Sequence, residues 1–122
     1  MNLTITLFIL VSVTLSVVAQ ILLKAGMSNE SVQSSLSTNV TTAISAIATN
    51  YYIIFGLTAY VTSAAVWLIV LSKTEVSKAY PYVGLGFIGT MLFAYWFLNE
   101  PLSTTKIIGT LLITLGVIVI SQ

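Results

Sequence analysis

Residues 3–23 read LTITLFILVSVTLSVVAQILL, a run without a charge that stops at Lys24. A helix needs about 20 apolar residues to cross the hydrocarbon of a bilayer, so this run predicts a transmembrane helix over 3–23. Lys24, Ala25 and Gly26 follow, and a glycine in that place predicts the helix end. The alternative is a cleaved signal peptide, with Val17, Val18 and Ala19 resembling a processing site. Against it, no Lys or Arg precedes the apolar core.

The same test, carried along the chain, finds three more such runs. One covers about 51–71, opening with Tyr51 and Tyr52 at the level of the lipid headgroups and ending before Lys73, Glu75 and Lys78. Another covers 79–98, with Pro81 in its first turn, where a missing N–H costs little, and Phe93, Tyr95, Trp96 and Phe97 as an aromatic belt at its far end. The last covers 104–120, after the turn Asn99-Glu100-Pro101 and a cap from Ser103 or Thr104. Between the first two runs, 27–50 is rich in Ser, Thr and Asn and reads as the one long exposed loop, with a short interfacial helix possible over Val40 to Ala48. The expected fold is an all-α membrane protein, one domain over 1–122 with four transmembrane helices.

Composition agrees, since 57% of the 122 residues are hydrophobic and 6% charged, with a mean hydropathy of +1.06. The chain has no Cys, His, Asp or Arg, so neither disulfides nor the ordinary metal clusters are expected, and no cofactor. A net charge of +1 with scattered lysines offers no basic patch for nucleic acid. Four spans would place Lys73 and Lys78 on one side and Lys24 and Lys106 on the other. That tie gives little orienting bias, which fits either a partner that decides orientation or a chain that inserts both ways and pairs antiparallel with itself.

Polar groups within the spans are the candidate functional residues. Ser12, Ser16, Gln20 and Lys24 recur every four residues and share one helix face, which must meet protein or water because an unpaired polar group in hydrocarbon costs several kcal/mol. Tyr60, Ser63 and Trp67 make a matching face on the second span. In the third, Tyr80, Pro81 and Tyr82 form the first turn, and Gly84, Gly86 and Gly89 permit close contact or flexure. Gly109 and Gly116, two turns apart on the fourth span, suggest a dimer seam. Both helix contacts and a polar pathway account for these patterns. No carboxylate falls in the middle of a span, since Glu30, Glu75 and Glu100 lie in loops or at ends, which argues against proton-coupled exchange. With no His, Cys or Asp, and no Glu beside a candidate nucleophile, an enzyme is not expected either.

Three motifs carry a family resemblance. Ser16-Val17-Val18-Ala19-Gln20 with Lys24, then Lys78-Ala79-Tyr80-Pro81, then Asn99-Glu100-Pro101-Leu102-Ser103 resemble the drug/metabolite transporter superfamily across all four spans. Within it the chain looks like the short four-helix branch of EamA-type and small multidrug resistance proteins, and is most similar to aminoarabinose-phosphoundecaprenol flippase subunits. The resemblance implies a dimer, often antiparallel, of identical or similar four-helix subunits in a bacterial inner membrane. In it the first three helices line the pathway and the fourth joins the subunits. The multidrug branch carries an essential glutamate at the position of Ser16, and its absence here disfavours proton-coupled drug export. The flippase-like branch implies that Lys24 meets a phosphate and Gln20 sugar hydroxyls.

The expected function is therefore translocation of an amphipathic substrate, a polyprenyl-phosphate-linked sugar above all, with membrane lipid as the other partner. One alternative is export of small metabolites, polyamines or lipophilic cations held on the faces of Tyr60, Trp67 and Tyr80. Another is a non-transporting accessory subunit docked by its glycine faces.

Overall fold

The structure is a computed structural model that describes residues 2–120 and 122. Among the described residues seven α-helices follow in order: α1 (Leu3–Met27), α2 (Glu30–Leu36), α3 (Val40–Thr49), α4 (Tyr51–Leu71), α5 (Val76–Ala79), α6 (Val83–Phe97) and α7 (Thr104–Ile120), with a 3₁₀ turn at Tyr80–Tyr82 between α5 and α6. No strand occurs among the described residues.

The four longer helices alternate in direction, as their contacts show. Along α1, Gly26 meets Asn50 and Ile53, Leu23 meets Gly56, Ser12 meets Ser63, and Ile5 and Ile9 share a buried cluster with Val70. This falling sequence against a rising one makes α1 and α4 antiparallel. α6 runs parallel to α1, because Gly86 faces Val13 and Gly89 faces Val17. α7 returns along α6, with Ile113 and Val117 at Gly84 and Thr110 at Met91. α1 is thus the central helix, holding α4 on one side and α6 on another, while α7 packs on α6.

Lipid is the solvent for this surface. α1 and α4 are long and apolar enough to cross a bilayer, yet only 28% and 22% of their most apolar stretches are buried. A core helix of a soluble protein would be mostly enclosed, whereas here Leu7, Leu10, Phe55, Leu57, Val61 and Leu68 point outward. The threonines on the outside avoid an unmet hydroxyl by donating back to their own helix, Thr58 to Ile54 at 2.9 Å and Thr62 to Thr58 at 2.9 Å. Phe93, Trp96 and Phe97 group at the end of α6, Phe93 stacked on Phe97 at 5.6 Å, with Trp96 and Phe97 turned outward.

Three boundaries differ from expectation. α1 does not stop near Leu23, and Gly26 is not its cap: the helix runs to Met27 with Ser28 as cap. Gly26 is buried inside the helix because a Cβ there would come within 2.8 Å of the Asn50 side chain, so the glycine serves the crossing with α4. In the 27–50 connection the short helix expected over Val40 to Ala48 is present as α3, but the first half is helical too, as α2, rather than open loop; Asn29 and Asn39 cap the two in the way Asn2 and Asn50 cap α1 and α4. Helicity in the third run begins at Val76, before residue 79, and passes through the 3₁₀ turn that holds Pro81. A proline has no N–H for an α-helical bond and its ring crowds the preceding turn, which the tighter 3₁₀ geometry accommodates.

Candidate functional site

On one side of α1, a polar contact is spent on packing. Ser12 Oγ donates to the Ser63 carbonyl at 2.9 Å and Ser63 Oγ donates to the Ser12 carbonyl at 2.7 Å, with both residues buried. Two hydroxyls that would each be costly in hydrocarbon thereby satisfy one another and clamp α1 to α4. Ser63, a candidate for substrate contact by its spacing, is engaged in this clasp.

Past the clasp, α1, α4, α6 and α7 diverge and leave an open cleft. Its larger part, about 750 Å³, is lined by Ser16 and Gln20 of α1, Tyr60 of α4, Gly86, Thr90 and Met91 of α6, Lys106, Gly109 and Thr110 of α7, and Glu100 and Pro101 of the connecting turn. A smaller part, about 270 Å³, runs on toward the other end between Ser12, Ser16, Tyr60, Trp67, Tyr80 and Gly86. Ser16, Tyr60, Val83 and Gly86 border both, so the two form one groove along the polar face of α1. Trp67 and Tyr80 meet edge to face at 6.4 Å at one end of it. At the other end Glu100 stands on the turn from α6 to α7 and Lys106 in the first turn of α7.

That turn is well fixed. Asn99 takes a left-handed conformation at φ 56°, and the Glu100 N–H donates to the Ala94 carbonyl at 3.1 Å. The Lys106 amine donates to the Pro101 carbonyl at 2.8 Å, and Ser103 Oγ accepts the Lys106 N–H at 3.2 Å as the cap of α7.

Of the polar residues singled out in the sequence, Ser16, Gln20, Tyr60, Trp67 and Tyr80 border the groove, and so do Ser12 and Ser63, whose hydroxyls are engaged in the clasp. Lys24 does not border it: it is exposed one turn beyond Gln20. Tyr82 packs instead on the buried cluster of Ile5, Ile9, Val70 and Ala79. Gly84, Gly86 and Gly89 serve close contact, since a Cβ on each would come within 2.8 to 3.3 Å of Ile113, Val13 or Val17. Gly109 and Gly116 have open space beside them, Gly109 toward the groove. The groove residues the sequence reading passed over are Lys106, Thr110 and Ile113 of α7 together with Thr90 and Met91. Lys106, Gly109, Thr110 and Ile113 are spaced i, i+3, i+4 and i+7, the signal of a shared face.

Compared with known protein families, residues 3–122 match the EamA-like transporter family. Among curated proteins, the chain is 41% identical over 70 residues to the probable 4-amino-4-deoxy-L-arabinose-phosphoundecaprenol flippase subunit ArnF of Proteus mirabilis, covering 55% of this chain and 52% of that one. It is 40% identical over 57 residues to the probable subunit ArnE of the same flippase from Serratia proteamaculans, covering 47% and 50%. The chain spans about half the length of the curated relatives it matches. No solved structure matches it.

Proposed function

This chain belongs to the EamA-like transporter family, and from that premise we propose that it is a transporter subunit that moves a polyprenyl-phosphate-linked sugar across a bacterial inner membrane. In this reading α1, α4, the α5–α6 segment and α7 all cross the bilayer, and the chain works as a dimer with itself or with a similar subunit. The observation that carries the proposal is the continuous groove of Ser16, Gln20 and Tyr60, polar on the α1 side and open at its edge. Such a groove lets a sugar phosphate head travel past hydrogen-bonding groups while its polyprenyl tail stays in lipid. The volume of about 750 Å³ falls within the usual range for small-molecule sites. Gln20 supplies two donors and an acceptor for hydroxyls, and Lys24, exposed beyond it, meets phosphate at the membrane surface. The similarity to proteins named as aminoarabinose-phosphoundecaprenol flippase subunits supports this substrate class.

The test is binding of a polyprenyl-phosphate sugar to the protein in lipid nanodiscs. Saturable binding is expected for the wild type, with loss of about tenfold or more in Gln20→Ala from the missing hydrogen bonds. Lys24→Ala is expected to weaken it less. Unchanged binding in Gln20→Ala would remove the α1 face from the site.

A second reading rests on the Trp67–Tyr80 pair. Two aromatic rings bordering the smaller part of the groove, with Tyr60 between the two parts, offer faces to a lipophilic cation. Binding of such a cation, with no binding of the lipid-linked sugar, would establish it.

A further inference from the structure

The α2–α3 pair stands apart from the groove and carries apolar surface that the fold leaves uncovered. On α3, Ala43 is buried and Ala46 and Ile47 are half-buried, while α2 turns Val32 inward and leaves Glu30, Gln33 and Ser34 exposed. The next strip around α3 is Val40, Ile44 and Ala48, spaced i, i+4 and i+8, and it points outward, with Val40 74% and Ile44 63% exposed. Beyond it come Thr41, Ser45 and Thr49, also exposed. The apolar arc of α3 is therefore wider than its packing covers. What covers the rest follows from where the pair is attached. Asn50 alone joins α3 to α4, and its extended backbone, φ -80° and ψ 122°, turns α3 off the axis of α4. The Asn50 amide also donates to the Gly26 carbonyl at 3.5 Å, which ties the pair to the end of the two helices long and apolar enough to cross a bilayer. In sequence the strip runs on into Tyr51 and Tyr52, both exposed, and then into the outward Ile54 and Phe55 of α4. Residues 31–72 carry no charge, whereas a face that meets water normally bears charged side chains. Hydroxyls of the pair donate back to their own helix, Ser35 to the Ser31 carbonyl at 2.8 Å and Thr49 to the Ser45 carbonyl at 2.8 Å, as Thr58 and Thr62 do on the lipid side of α4.

We propose that α3 is an anchor lying in the headgroup layer of the bilayer, with Val40, Ile44 and Ala48 at the boundary with the acyl chains and Thr41, Ser45 and Thr49 toward water. Glu30 is the one charge on α2 and α3, and neither helix has a Lys or Arg, so the anchor holds by apolar burial and not by attraction to anionic lipid. It fixes the depth of α1 and α4 at that surface, whatever the groove carries.

The experiment places nitroxide labels on single cysteines of the full chain in nanodiscs, at Val40→Cys, Ile44→Cys and Ala48→Cys and at Thr41→Cys and Ser45→Cys, all exposed positions where the change leaves packing in place. Oxygen, which concentrates in lipid, and a water-soluble nickel chelate relax the label according to its depth. The ratio of oxygen to nickel accessibility is expected to be several-fold higher at 40, 44 and 48 than at 41 and 45, and the same in zwitterionic and anionic lipid. High nickel accessibility at all five positions would place α3 in water and overturn the proposal. Protection of 40, 44 and 48 from both reagents would mean that a protein, a second copy included, covers the strip, and would overturn it too. A depth profile that appears in anionic lipid alone would overturn the apolar mode of attachment.

Discussion

The α1–α4 pair and the α6–α7 pair are both antiparallel helix hairpins, yet one is built to close and the other to stay open. α1 and α4 are 25 and 21 residues long and approach at two glycines, Gly26 and Gly56, with the double serine bond between them. α6 and α7 are 15 and 17 residues, meet closely at Gly84 near one end, and with the turn at Glu100 line the larger part of the groove. The lesson is that polar side chains in this membrane protein take two roles according to what faces them. Ser12 meets another hydroxyl and is used up in packing, whereas Ser16 and Gln20, one and two turns on, meet a cleft and remain available.

The sharpest way to break the tight hairpin is Gly56→Leu. A Cβ at this position already falls 2.9 Å from Leu23 Cγ and 3.1 Å from the Leu23 backbone nitrogen, so α1 and α4 must separate. A loss of about 3 kcal/mol is expected, read as a lower thermal midpoint in detergent and less folded protein in membranes. Next in size is the serine clasp. Ser12→Ala and Ser63→Ala should each cost about 1 kcal/mol, and a double-mutant cycle should find the two losses close to additive, since each hydroxyl donates to the other residue's backbone carbonyl, which an alanine leaves in place. The smallest effect belongs to the looser hairpin. In Gly84→Ala the new methyl meets Ile113 Cγ2 at 2.8 Å, on a stiff branched side chain, so α7 must shift slightly away from α6, and the cost should be about 1 kcal/mol in the same melt. A larger penalty for Gly84→Ala than for the matched Gly56→Ala would reverse the comparison.

Much of this architecture is legible in the residues. The bounds of α4 and α7 agree with the apolar runs 51–71 and 104–120, because aromatic residues, lysines and a Ser cap mark their ends. What misled at Gly26 is that a glycine after a lysine is equally a cap and a contact; only the position of Ile53 and Asn50, 24 residues or more away in sequence, decides. In the 27–50 segment the small aliphatic residues after Val40 marked α3, whereas the cap Asn29 of α2 is hidden in a stretch rich in Ser, since such side chains favour turns as readily as caps. In the groove, the α1 face was visible as a four-residue rhythm. Lys106 was not: counted as a charge flanking a span, it serves topology, and its place on the groove wall follows from α7 packing back along α6.

The central claim is that the polar face of α1 lines a substrate path. The chain has no cysteine, so single cysteines report without background. Gln20→Cys and Ser16→Cys, in the groove, can be compared with Leu112→Cys, on the outer face of α7, for labelling by a membrane-impermeant thiol reagent in proteoliposomes with and without a polyprenyl-phosphate sugar. The account predicts labelling at positions 20 and 16, protection of both by the lipid-linked sugar, and no labelling at 112. Equal labelling at all three positions, or labelling at 20 and 16 that the lipid-linked sugar leaves unchanged, would contradict it.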